Sequence, residues 1–319
     1  MSDEQTPRGD EGTPRTERAR LAIAGARSTT AAVLSGQPRG DVVRNTIFAG
    51  LLFLAVLLAL AGLAALIIQA AVKGAPALDL GLFTDSASSD PTNAGFREAI
   101  LGSILLIIGV IVLVVPIGVG AALYLEEYAD ESRWWNRLIE VNIQNLAAVP
   151  SIIYGILGLA FIVRGPLDLG FIVFAGSITL ALLVLPIVII AGREAIRAVP
   201  SSIRQGALAL GATKWQTIRG QVMPAALPGI LTGVILAISR AIGETAPLLL
   251  VGAATFVTFS PEFFAGDYTA LPVQIFNYAT RPQEEFRVLA AAGIIVMLVV
   301  LLAMNSFAIW LRNRYEQNW

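Results

Sequence analysis

Between residues 47 and 311 this chain passes repeatedly through stretches of twenty or so residues with almost no charge; 51–70, LLFLAVLLALAGLAALIIQA, is the plainest. A helix needs about 20 such residues to cross the hydrocarbon of a bilayer. Strands of a membrane barrel are excluded, because they alternate apolar with polar residues and these runs are apolar on every face. The chain is thus read as an all-α, polytopic membrane protein, in keeping with 56% hydrophobic and 14% charged residues.

Six spans are predicted, at about 47–70, 99–124, 140–163, 171–191, 224–251 and 288–311. Pro116 lies inside the second and predicts a kink. The third opens on Asn142, Gln144 and Asn145 and then Pro150-Ser151, a pattern expected of a broken or re-entrant start. Irregular backbone at membrane depth survives only against protein or a water-filled cavity. Asn145 and Ser151 are therefore candidates for lining a pathway, and ordinary helix-helix contact suits them equally.

Residues 1–46 hold seven arginines among Asp3, Glu4, Asp10, Glu11 and Glu17, with Pro, Gly, Ser and Thr, and no sustained apolar face. That composition predicts a disordered tail, with at most a short amphipathic surface helix at 18–34. More than forty largely polar residues ahead of Ile47 argue against a cleaved secretory signal. With both termini in the cytoplasm, sixteen Lys and Arg fall in cytoplasmic segments against five outside, the asymmetry that the positive-inside rule demands. Residues 312–319 then form a short cytoplasmic end. The outer segments carry nine carboxylates against those five basic residues, a face that repels free anions.

Histidine and cysteine are both absent, which removes imidazole bases, thiol nucleophiles, disulfides and most transition-metal sites. The only lysines, Lys73 and Lys214, do not follow phosphate-loop spacing. No catalytic residue, metal site or cofactor is assigned, and any ATP that drives such a protein is hydrolysed elsewhere. Nothing points to nucleic acid; lipid is the one partner that composition dictates.

The stretch 193–222 is too polar for a bilayer and immediately precedes the fifth span. Pro200-Ser201-Ser202 breaks it, and Gly211 divides the remainder into helix, turn and helix. Ala207, Leu208, Leu210, Ala212, Trp215 and Ile218 are expected largely on one side, with Arg204, Lys214 and Arg219 elsewhere. Such a helix could lie flat on the membrane or fill a groove of a soluble partner.

Inside the fifth span stand Arg240 and Glu244. A mid-membrane arginine costs about 2.5–3.5 kcal/mol on insertion scales. Arg240 lies sixteen residues beyond Pro224, roughly 24 Å along a helix, and Glu244 is one turn further on the same face. Two roles fit: mutual neutralisation that holds the helix to a neighbour, or a pathway lining in which a guanidinium fork meets a tetrahedral oxyanion and the carboxylate limits its affinity.

The polar stretch resembles the coupling loop of ABC-transporter permeases, EAA, three residues, Gly, nine residues, I-x-L-P. Its counterparts are Gln205-Gly206-Ala207, Gly211 and Gln221-Val222-Met223-Pro224. Gln205, Gly206, Gln221 and Met223 depart from the consensus, whereas Ala207, Gly211 and Pro224 agree. Four further blocks, 148–155 (AVPSIIYG), 208–215 (LALGATKW), 239–248 (SRAIGETAPL) and 271–278 (LPVQIFNY), are similar to phosphate-uptake permeases of the PstA type. The resemblance covers about 95–312. It implies a type I ABC-importer permease, with 47–311 as permease domain and 193–222 as coupling loop. It also implies a homologous second permease, two ATPase subunits and an extracytoplasmic phosphate-binding protein, with Lys214 and Trp215 beside the motif on the ATPase-facing surface. The rivals are an importer of another oxyanion, an ATP-independent carrier or channel, and an intramembrane enzyme; the last lacks any Ser-Lys, His or Cys arrangement to support it.

Overall fold

The computed structural model describes residues 39–130, 132–253 and 256–315. The expected surface helix at 18–34 lies outside them, as does all of the expected tail before residue 39. The molecule comprises two units, 1–67 and 68–319. Of the first, the described part belongs to helix α1, Arg39–Gly74, whose side chains from Val43 to Ile67 are exposed on every face. That helix starts eight residues ahead of the expected span.

The second unit is built around one buried helix. Helix α2 covers Arg97–Leu123 and continues through a π turn at Tyr124–Tyr128. Helices α3, Trp134–Ala147, and α4, Ser151–Leu157, follow, then a second π turn at Gly158–Val163. Helix α5, Val173–Arg197, runs through the middle, with α2, α3 and α8, Met223–Gly243, packed around it. Small residues allow these approaches, as expected where lipid removes the hydrophobic drive between helices. A Cβ on Gly118 would stand 2.7 Å from Val188 Cγ1, and one on Gly233 would collide with Ala191. Pro116 sits on the exposed side of α2, which stays one helix through it; the expected kink does not interrupt the element.

Two short helices, α6 (Ser201–Ala209) and α7 (Lys214–Thr217), leave the bundle between α5 and α8. After α8 come α9, Ala246–Leu250, then α10, Leu271–Ala279, and α11, Glu284–Tyr315. Helices α10 and α11 pack together over a second apolar core that includes Phe96, Tyr278 and Phe286. Among the described residues five helices are long and apolar enough to span a membrane, and the pair α3–α4 makes a sixth if its two arms, bent by 107°, count as one. The six-span expectation therefore stands, with a broken third span as its polar start implied. Two further differences bear on the site. Residues 193–197, expected in the polar loop, complete α5, and the fifth span is interrupted.

Candidate functional site

The interruption falls at the ionisable pair. Helix α8 ends at Gly243, Glu244 is extended (φ −76°, ψ 121°), and α9 restarts with Pro247 in its first turn. A helix continued through Pro247 would leave the Gly243 carbonyl without its donor and press the proline ring against it. The chain breaks instead. Arg240 thereby occupies the last turn of α8, where the helix dipole favours a cation.

Arg240 Nε donates to Glu244 Oε1 at 3.1 Å. The Arg240 side chain is 44% exposed and that of Glu244 15%. Among the described residues the two terminal nitrogens of Arg240 have no hydrogen-bond partner, so its fork is open. Leu236, Arg240 and Gly243 form an exposed line along α8. The other side of the helix is fixed by Ser239, whose hydroxyl contacts Asn305 Oδ1 of α11 at 2.5 Å.

Behind the break, α9 lies against α4 so closely that a Cβ on Gly155 would stand 2.6 Å from Pro247 Cα. Ser151 starts α4 and is half-buried; Asn145 stands in the last turn of α3 and is exposed. The Tyr154 hydroxyl donates to the Leu146 carbonyl at 2.8 Å and ties the two arms together. Ser151 and Asn145 thus mark the apex of the bend, but among the described residues neither hydrogen-bonds to the Arg240–Glu244 pair. The cavity of about 430 Å³ inside the bend is lined by Leu146, Tyr154, Leu157, Phe161, Leu182 and Leu185 and suits an apolar occupant, not an anion.

The second candidate region is the elbow α6–α7. Gly211, at φ +84°, makes the turn in a conformation that side-chain-bearing residues rarely adopt. Thr213 and Gln216 close a capping box that starts α7. Gln205, Gly206, Gly211, Lys214 and Trp215 are exposed and Ala207 half-buried. The expected single apolar side is in fact divided. Ile218 is buried and Ala207 and Ala212 half-buried, whereas Leu208, Leu210 and Trp215 point outward at 50%, 91% and 54% exposure. One set fastens the elbow to the bundle and the other is presented outward.

Arg204, expected away from the apolar side, is partly buried. Its guanidinium meets Glu127 Oε1 at 2.9 Å and donates to the Val199 and Ile196 carbonyls at 2.6 and 2.8 Å. Those carbonyls lie in the last turn of α5 and just beyond it, where acceptors have no further turn of helix to meet them, so Arg204 caps α5 and pins α6 to it. Beside it Glu126 accepts from Arg193 Nε at 3.4 Å and from Arg197 Nε at 3.0 Å, and Arg193 Nη1 reaches Glu140 at 2.9 Å. These pairs explain why α5 continues to Arg197: its charges are met where they leave the apolar layer. Lys214 adds a cation–π contact, 4.8 Å from the centre of the Tyr128 ring. In the adjoining turn the Ser132 hydroxyl, and after it the Ser132 backbone N–H, hold the Asp130 carboxyl below the usual carboxylate range.

Sequence reasoning overlooked this network. Its traces were the paired Glu126-Glu127 and the one-turn spacing of Arg193 and Arg197. In the loop before α10, Phe256, Phe259 and Phe264 are exposed, whereas Tyr268 is fully buried.

With this geometry in place the chain can be compared with known proteins. Residues 114–317 match the family described as binding-protein-dependent transport system inner membrane component. Among solved structures, a bacterial alginate ABC transporter in complex with its pentasaccharide-bound periplasmic protein has a chain that superposes with a TM-score of 0.61 over 87% of this chain and 98% of its own; at 15% identity the likeness is one of fold. The chain is accordingly a membrane-embedded, non-enzymatic permease of the type I ABC-importer architecture. The phosphate transport system permease protein PstA of Yersinia pestis is 38% identical over 241 residues, 74% of this chain and 79% of that protein. PstA of Haemophilus influenzae is 35% identical over 267 residues, 82% and 92% respectively. Within the permeases, this chain belongs to the PstA family.

Proposed function

We propose that this chain and a homologous second permease form the pathway through which an ATP-driven importer carries inorganic phosphate across the cytoplasmic membrane by alternating access. Two ATPase subunits supply the force, and an extracytoplasmic phosphate-binding protein delivers the ion past the acidic outer face. Both termini and the elbow lie in the cytoplasm, as the distribution of Lys and Arg favours.

The open fork of Arg240 carries the assignment of the pathway. One nitrogen is held by Glu244, which orients the group, and two remain free to meet adjacent oxygens of a phosphate. Glu244 keeps the site from retaining the anion and takes the guanidinium back once it has gone. At the other end Gln205, Gly206, Ala207, Gly211, Lys214 and Trp215 face the ATPase, with Leu208 and Leu210 as further anchors. Closure of the motor displaces the elbow as a body; Arg204 passes that displacement to α5, and the chain itself carries it through α7 to α8. The motor must bind the two permease states with different free energies for this to move the equilibrium. Ser151 and Asn145, at the apex of the bent pair, stand further along the same route.

Radiolabelled phosphate uptake by the assembled complex tests the proposal. Arg240→Gln is expected to abolish uptake while all subunits still co-purify. Normal uptake by that variant would remove Arg240 from the pathway.

A further inference from the structure

The end of the bundle that carries the elbow holds a second cavity, of about 440 Å³, between α3 and α5. Its volume falls in the range of small-ligand sites. Three guanidiniums, Arg137, Arg193 and Arg197, and one carboxylate, Glu140, line it together with Asn136. Glu126 and Glu194 pair with Arg193 and Arg197 from outside the cavity wall. Arg137 is exposed, and among the described residues its side chain pairs with no carboxylate.

Asn136 specifies the chemistry further. It is 6% exposed, and its Nδ2 donates to the Asp130 carbonyl at 3.0 Å. That bond fixes the amide, because the flipped form would set oxygen against oxygen. Oδ1 is left buried without a donor, a deficit of about 1–3 kcal/mol. A complete site here needs negative charge beside Arg137 and a hydrogen-bond donor beside Asn136.

We infer that this cavity binds a phosphate anion that also bears a hydroxyl group, the anion on Arg137 and the hydroxyl donating to Asn136 Oδ1. Two sources offer that chemistry: the headgroup of a phosphatidylglycerol-like lipid, and free hydrogen phosphate. The exposed Trp134 and Trp135 beside the cavity are of the kind that sit at headgroup level. The site is separate from Arg240 and does not depend on the transport mechanism.

The full complex, carrying Arg240→Gln to silence the pathway, is placed in nanodiscs of phosphatidylcholine with or without phosphatidylglycerol. Lipid retained by the protein is read by native mass spectrometry, and inorganic phosphate binding is read in the phosphatidylcholine discs with radiolabel. Adding Arg137→Gln, which breaks no ion pair among the described residues, is expected to weaken binding roughly ten-fold. Asn136→Leu should do the same in a complex that still assembles. Loss confined to phosphatidylglycerol supports the lipid source, and loss confined to inorganic phosphate supports the free ion. Binding of neither probe, or equal binding with Arg137→Gln, overturns the inference.

Discussion

Arg204 and Arg240 are the same residue put to opposite uses. Arg204 meets one carboxylate and two carbonyls, which leaves it little freedom to move or to bind anything else. Among the described residues Arg240 meets a single carboxylate oxygen and keeps two nitrogens open beside a helix break. A guanidinium with its donors satisfied transmits position, while one with donors to spare can receive a ligand. On the proposed function, the molecule separates a rigid joint at the elbow from a responsive group one span away.

The sharpest way to break that contrast is Arg240→Lys. It keeps the charge and loses the fork, so uptake should fall about 100-fold, far beyond what a conserved point charge would predict. Wild-type transport by this variant would mean that charge alone suffices. At the other arginine, Arg204→Met leaves Glu127, whose side chain is 9% exposed, without its partner. Loss of about 3 kcal/mol is expected in thermal unfolding, and adding Glu127→Gln should recover most of it; no recovery would show that Arg204 acts through the carbonyls alone.

Smaller effects are expected where the elbow faces outward. Gly211→Val forces a side chain into a left-handed turn at about 1–3 kcal/mol. It should leave ATP hydrolysis by the complex running while phosphate uptake drops, and unchanged coupling would count against the elbow as a lever. Leu210→Ala should shift thermal stability by less than about 0.5 kcal/mol, since the side chain is 91% exposed. The same variant should weaken retention of the ATPase subunits in a pull-down. Smallest is Ser239→Ala, which removes the contact to Asn305 and should cost about 0.6 kcal/mol, read from denaturant unfolding in detergent.

Much of this was legible in the residues. The apolar runs placed the spans, Pro150-Ser151 marked the bend, Gly211 marked the turn, and Arg240 with Glu244 stood out as charges inside an apolar stretch. The break after Gly243 was hidden because an apolar stretch, 246–251, resumes straight after Glu244-Thr245 and reads as the same span; Pro247 was its local signal. The end of α5 was misplaced because the partners of Arg193 and Arg197 lie more than fifty residues earlier, at Glu126 and Glu140, and no local pattern reveals a pairing across that distance. Arg204 turned inward for the same reason. Its acceptors, the Ile196 and Val199 carbonyls, become available only once α5 has an end.

The chain contains no cysteine, so a single one can report on its surroundings. Gly243 lies on the exposed line beside Arg240, and a Cβ there would find nothing nearer than Met297 Cε at 4.0 Å. In the assembled complex, Gly243→Cys should react with a charged, water-soluble thiosulfonate, and phosphate with its binding protein should slow that reaction. Labelling only by a lipid-soluble maleimide, indifferent to phosphate, would place this face in the bilayer and contradict the assignment of Arg240 to the path of the ion.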